Sequence, residues 1–96
     1  MYVRITPFGF DPPREQEVVR FTNDQLIPAF RRAPGFRRYY GATDRATGRG
    51  YALTLWDTRE QAEALRTVVG GPIMQGIQAL GVQLEAAQVF EVIAEA

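Results

Sequence analysis

A chain of 96 residues with 46% hydrophobic and 11% aromatic content fits one packed domain over 1–96, and because so short a chain buries only somewhat over ~60% of its unfolded surface, a subunit interface would add to its core. The 11 basic residues, all arginine, balance 11 acidic ones at a pI near 6.2, which excludes the basic excess that carries most nucleic-acid binding. The absence of cysteine excludes disulfides, thiolate catalysis and zinc–thiolate sites, and the absence of histidine removes the commonest metal ligand and the commonest general base.

The first predicted element is a strand over 2–8, YVRITPF, whose β-branched and aromatic residues alternate in character before GFDPP breaks the run. No uninterrupted apolar region follows the start as in a secretory signal, and no run approaches the ~20 apolar residues of a membrane span, so the expected location is cytoplasmic, away from membranes. Over 14–32 the apolar residues Val18, Val19, Phe21, Leu26, Ala29 and Phe30 form one helical stripe, with Asp11 available as a cap. Pro28 is predicted to kink or loosen that helix, because it removes a backbone donor and crowds the preceding turn. APGF at 33–36 ends it, and FRRYYGAT then reads as a second strand.

DRATG, 44–48, is a turn in which Asp44 satisfies local donors and Gly48 takes a positive φ, and it joins the second strand to a third, RGYALTLW. Thr58 with Gln61 forms a capping-box pattern that opens a helix over 59–69, REQAEALRTVV. GGP at 70–72 interrupts it, Pro72 suits the first turn of a continuation through Ile73, Ile77 and Leu80, and Gly81 stops that. A last strand over 82–93 alternates irregularly around EAAQ, the mark of a bulge or a change of partner.

The order βαββαβ predicts a ferredoxin-like α+β fold, an antiparallel sheet with two helices on one face. The other face needs a cover, which a second copy in a homodimer supplies, with Tyr51, Leu53 and Leu55 as apolar surface.

Within 48–57, GRGYALTLWD, the residues Arg49, Gly50, Tyr51, Ala52 and Trp56 resemble the ribonucleoprotein strand of an RNA-recognition motif, which implies an RNA binder that stacks bases on Tyr51. Leu53 stands where that motif carries its central aromatic, and Tyr2 lacks the Asn-Leu that follows the partner aromatic. A second resemblance covers nearly the whole chain: a long first helix ending in Pro34-Gly35-Phe36, a strand pair joined across 44–48, and Trp56-Asp57-Thr58-Arg59-Glu60 opening the second helix. These features are similar to the dimeric α+β barrel superfamily, and within it to the antibiotic biosynthesis monooxygenase domain.

That second resemblance implies a dimeric α+β barrel and a cofactor-independent monooxygenase-like activity on a small aromatic or polyketide-like substrate. A noncatalytic dimer that binds a small ligand is the alternative, and an RNA-recognition-motif-like binder the third. Trp56 matches the family's pocket tryptophan by its place at the end of the third strand. The family's heme-degrading pattern also needs a histidine on the second helix and an asparagine on a strand, neither of which this chain has, and the asparagine of the polyketide-oxidising pattern falls where the chain has Ala52, Leu53 or Thr54.

A turn over 44–48 pairs Phe36 with Trp56, Arg38 with Thr54 and Tyr40 with Ala52, leaving Tyr39, Tyr51, Leu53 and Leu55 on the other face. Large aromatics, small residues and a cation on one face suit an open cavity under the helices. The candidate catalytic residues are therefore Arg38, to stabilise a phenolate or enolate, Tyr40 and Thr54, to position it, and Trp56, with Phe36 and Ala52 lining the pocket. Oxygen activation without metal or flavin requires the substrate to be the reductant, so no cofactor, heme or transition metal is expected. Asp57 and Glu60 lie near the rim, where a carboxylate needs a raised pKa to act as a base near neutrality. Plainer roles stand beside these: Trp56 as core packing, Arg37 and Arg38 as solvated or inter-subunit cations, and the tyrosines as props between two sheets.

Overall fold

Strand β1 (Tyr2–Gly9) is an inner strand of the sheet in the computed structural model, which describes residues 1–64 and 69–96. It pairs antiparallel with β3 (Arg49–Trp56) on one edge, and β3 in turn pairs antiparallel with β2 (Phe36–Asp44). The other edge of β1 receives two short strands end to end, β4 (Gln83–Leu84) against Phe8 and Gly9, and β5 (Gln88–Glu91) against 2–5. The irregularity expected around EAAQ is this interruption. The register against β1 slips by one residue between the two pieces, while the partner stays the same.

The first helix is built in four pieces: a 3-10 turn at Pro12–Arg14, α1 (Glu15–Phe21), a π turn at Thr22–Leu26 and α2 (Ile27–Arg31). Pro28 accounts for the π turn. Its ring would crowd the carbonyl of Asp24 in a regular helix, and widening the preceding turn relieves that contact. Thr22 and Asn23 use their side chains to donate to the carbonyls of Val18 and Val19, at 2.8 and 3.1 Å, where the backbone ladder changes pitch.

α3 (Arg59–Glu63) opens on the expected capping box: Thr58 Oγ1 accepts from the Gln61 N–H, and Gln61 Oε1 accepts from the Thr58 N–H, both at 3.2 Å. The helix expected over 59–69 extends across 65–68, which lie outside the described residues. α4 (Gly71–Ala79) starts with Pro72 in its first turn and ends before Gly81, whose φ of 77° suits glycine.

Both helical layers cover the same sheet face, as the ferredoxin-like order requires, and the core lies between. Phe30, Trp56, Ala62 and Val69 are buried there, with Phe36 and Tyr39 packed against them. Phe30 lies edge-on to Trp56 at 5.9 Å, and Phe36 meets the same indole edge-on at 5.5 Å. A second aromatic pair, Phe8 and Phe10 at 6.1 Å, fills the far end. There the Phe8 ring occupies the space that a Cβ at residue 50 would need, so glycine in RGY serves sheet packing. Among the described residues no helix is long and apolar enough to cross a membrane.

The register of β2 departs from expectation. Asp44 stays in the strand opposite Arg49, because its carbonyl accepts from Gly48 N at 2.9 Å and its Oδ1 from Ala46 N at 3.0 Å, closing a turn over 45–48 alone. This moves β2 by one residue, so Arg38 opposes Leu55, Tyr39 opposes Thr54 and Tyr40 opposes Leu53. A β-bulge between Phe36 and Arg38 absorbs the extra residue and returns Phe36 opposite Trp56. Arg37, at the bulge, extends outward, where its Nε donates to Asp57 Oδ1 at 2.5 Å.

Candidate functional site

The sheet presents its helix-facing side chains in rows that cross the strands. The first row, Phe36, Trp56 and Tyr2, is aromatic and belongs to the core. The next row places Tyr39, Thr54 and Arg4 side by side on β2, β3 and β1, followed by Val89 on β5. The third row, Gly41, Ala52 and Thr6, is made of small residues. Small side chains beneath helices that are held up by neighbouring aromatics leave space, and a cavity of about 510 Å³ opens there.

Its floor is Arg4, Thr6, Tyr39, Ala52 and Thr54. Leu26 and Phe30 close it from the first helix, Met74 and Ile77 from α4, and Leu84, Glu85 and Ala87 from the interrupted edge strand. The walls are thus largely apolar, and the polar groups gather on the sheet.

Arg4, Thr54, Tyr39 and Glu85 are held by their neighbours. Arg4 donates through Nη1 to the carbonyl of Ala62 at 3.0 Å, which ties the guanidinium to α3. Thr54, only 3% exposed, accepts from Trp56 Nε1 at 2.8 Å. Tyr39 packs against Phe30 with ring centroids 5.6 Å apart. Burial pushes the pKa of its phenol above the ordinary value, with the Thr22 side chain acting in the opposite sense, so Tyr39 is neutral at physiological pH. Glu85 at the rim pairs with Arg49 at 2.5 Å. The chemistry on offer is that of an apolar slot with a guanidinium, a hydroxyl and a phenol along one line, suited to a flat ligand with a polar or anionic edge.

The sequence-derived residues divide between the two faces. Thr54 and Ala52 line the cavity. Trp56 and Phe36 lie on the same face one row away, in the aromatic core, where Trp56 has no solvent exposure. Arg38 and Tyr40 are a correction. The shortened turn and the bulge turn them to the opposite face, both exposed, with Arg38 Nη1 donating to the Tyr40 hydroxyl at 3.2 Å. Tyr39, expected on that outer face, takes the inner position, and Arg4 supplies the cation there. Arg4 was visible as an alternate residue of β1, but its place opposite Thr54 depends on strand pairing that YVRITPF does not encode by itself.

Among the described residues no group of three or more Asp, Glu, His or Cys side chains is placed to hold a metal ion. The outer face carries Val3, Ile5, Leu53 and Leu55 together with Tyr40, Tyr51 and Phe90, the last three each about half exposed at 52%, 49% and 48%.

No protein-family model matches the sequence, and no curated protein does. Solved structures do match the fold. A dimeric ferredoxin-like protein from an uncultured marine organism superposes with a TM-score of 0.75 at 10% identity, covering 100% of this chain and 98% of that one. SnoaB, a cofactor-independent oxygenase from Streptomyces nogalater, superposes at 0.65 with 20% identity over 98% and 94% of the two chains. A monooxygenase from the gene ActVA-Orf6 of Streptomyces coelicolor, in complex with the ligand nanaomycin D, superposes at 0.69 with 14% identity over 99% and 89%. At such identities the likeness is one of architecture. The chain has the ferredoxin-like α+β fold shared by these oxygenases and by antibiotic biosynthesis monooxygenase-like proteins.

Proposed function

We propose that the protein is a cofactor-independent monooxygenase-like enzyme that takes a small aromatic or polyketide-like substrate into the cavity over Thr54 and Ala52, and that it works as a homodimer. The observation that carries this reading is the cavity of about 510 Å³, apolar on its helical side, with Arg4, Thr54 and Tyr39 in one row on the sheet. An aromatic ring fits the apolar slot, and the polar row meets an ionised oxygen on its edge. The shared fold with SnoaB and the Streptomyces coelicolor monooxygenase supports the reaction class.

In this reaction the substrate supplies the electrons. A phenol that loses its proton becomes electron-rich enough to reduce dioxygen. One oxygen atom enters the ring to give a quinone, and the other leaves as water with the hydroxyl hydrogen and the ring hydrogen that the new oxygen replaces. The protein's part is to favour the phenolate, hold it away from bulk water and keep it oriented. Arg4 and Thr54 are the groups proposed for that part, and Thr54 with Trp56 keeps two of the four catalytic candidates named from the sequence in the proposal.

The homodimer reading rests on the outer sheet face, where Tyr40, Tyr51 and Phe90 surround Leu53 and Leu55. A second copy covering it face to face would enclose the apolar surface that a domain of this size leaves open.

A noncatalytic ligand binder is the second reading, favoured by Glu85, the one carboxylate among the described residues that line the cavity, being engaged by Arg49, while Asp57 and Glu60 lie outside that lining. Incubation with phenols and anthrones under ¹⁸O-labelled dioxygen separates the two. Quinone carrying one labelled oxygen, formed faster than without protein, is the expected result. Tight binding with no product above background would leave the binder and end the enzyme.

A further inference from the structure

We infer that Trp56 is a positioning residue whose indole fixes the Thr54 hydroxyl as a donor into the cavity, and that Thr54 and Arg4 together bind the ionised oxygen of a phenolic or enolic ligand. This rests on the cavity being a ligand site, as proposed above, and adds which atoms select the ligand and what Trp56 does there.

The indole N–H is a donor only, so in the 2.8 Å contact Thr54 Oγ1 must accept. The hydroxyl's own proton takes no part in that bond, and no acceptor for it is found among the described residues. Thr54 is buried at 3% exposure and lines the cavity, so a ligand oxygen seated there meets a hydroxyl already set to donate. A hydroxyl that accepts one hydrogen bond also donates a second one more strongly. Arg4 stands directly opposite Thr54 on the neighbouring strand, a separation of about 5 Å between Cβ atoms. Its Nη1 bond to the Ala62 carbonyl fixes the direction of the guanidinium. One neutral donor and one cation, both oriented before a ligand arrives, favour an oxyanion over the protonated hydroxyl.

Trp56 itself is fully buried in the aromatic row and is absent from the cavity lining, so it acts on a ligand only through Thr54. The ligand class that fits is a flat aromatic with an acidic hydroxyl, its ring over Ala52 and its oxygen toward the polar row.

The test uses 2-hydroxyanthraquinone, whose phenolate is read by visible absorption, with anthraquinone as the non-ionising control. Wild-type protein should lower the apparent pKa of the bound dye by about one unit or more relative to water. Thr54→Val should return it toward the value in water while anthraquinone binds within about twofold of wild type, Thr54→Ser should restore the depression, and Trp56→Phe should lose part of it. An equal dye pKa in wild type and Thr54→Val would overturn the inference with the ligand site intact. A shift lost in Thr54→Val but unchanged in Trp56→Phe would remove the positioning role of Trp56. If neither dye binds wild-type protein, the cavity is no such site, and the functional reading fails with the inference.

Discussion

Trp56 and Thr54 stand two residues apart on one face of β3, joined from indole Nε1 to Oγ1 at 2.8 Å, with the indole wholly enclosed by the core and the threonine at the edge of the cavity. The pair thus joins packing to the site, and the balance between the two roles is measurable. Trp56→Ala removes the side chain that Phe30 and Phe36 both meet edge-on, and should cost ~3–5 kcal/mol of stability in urea denaturation, as large aromatic truncations in cores do. A loss under ~1 kcal/mol would mean the indole is a pocket residue after all.

Tyr39 and Tyr40 are adjacent in sequence and face opposite sides of the sheet, and only Tyr39 reaches the cavity. Tyr39→Ala should weaken binding of 2-hydroxyanthraquinone by roughly fivefold or more, through lost contact area and a lost polar partner. Tyr40→Ala should leave it unchanged. The opposite pattern in a titration of the two variants would reinstate the register in which Tyr40 faces Ala52.

What was legible in the chain and what was not differ by range. The Thr58–Gln61 capping box, the positive φ at Gly48, the helix stop at Gly81 and the disturbance at Pro28 are decided within a few residues, and each falls where local chemistry puts it. The element order followed from those boundaries, with the last strand expected as one piece and found as two. The bulge at Arg37 did not, because the interactions around it are distant in sequence: Arg37 to Asp57, and the Asp57 N–H to the Gly35 carbonyl at 2.9 Å. One residue of register then exchanged Tyr39 for Tyr40 and turned Arg38 outward. The polar row needed the pairing of β1 with β3 as well, so Arg4 carried no mark of its role within its own strand.

The RGY segment that resembles an RNA-binding strand has a packing reason for its glycine, since a Cβ at residue 50 would meet the Phe8 ring and would lie 2.8 Å from the Ala42 carbonyl oxygen. Gly50→Ala should therefore destabilise the domain by ~1–3 kcal/mol, the usual range for overpacking. Thermal and urea denaturation would show it. A neutral substitution would indicate that the sheet accommodates a methyl there and that the packing argument is mistaken.

The outer face makes the assembly testable without a ligand. Leu53 opposes Ile5 on one side and Tyr40 on the other, and Tyr51 and Phe90 are half exposed nearby. If two copies meet on this face, light scattering should give twice the chain mass, and Leu53→Glu should give monomers, because a lone carboxylate buried in an apolar interface costs several kcal/mol. Monomeric wild-type protein at micromolar concentration would end the homodimer proposal, and an undisturbed dimer in the Leu53→Glu variant would move its interface elsewhere.

Burial of Tyr39 also predicts how stability responds to alkali. Desolvation raises the phenol's pKa in the folded protein above its ordinary value of 10.0, while the unfolded chain keeps the ordinary value. Between those two values the folded state holds more protons than the unfolded state, so stability falls as pH rises. The contribution is complete below the unfolded pKa and is lost as pH climbs through the folded one. Tyr39→Phe keeps the ring against Phe30 and removes the titrating group. Urea midpoints for the two proteins should run parallel from about pH 7 to about pH 9, and wild type should lose stability relative to Tyr39→Phe above about pH 10. Curves that stay parallel throughout would mean that the phenol titrates alike in both states, and Tyr39 would then be open to solvent, unlike the residue that packs beneath Phe30.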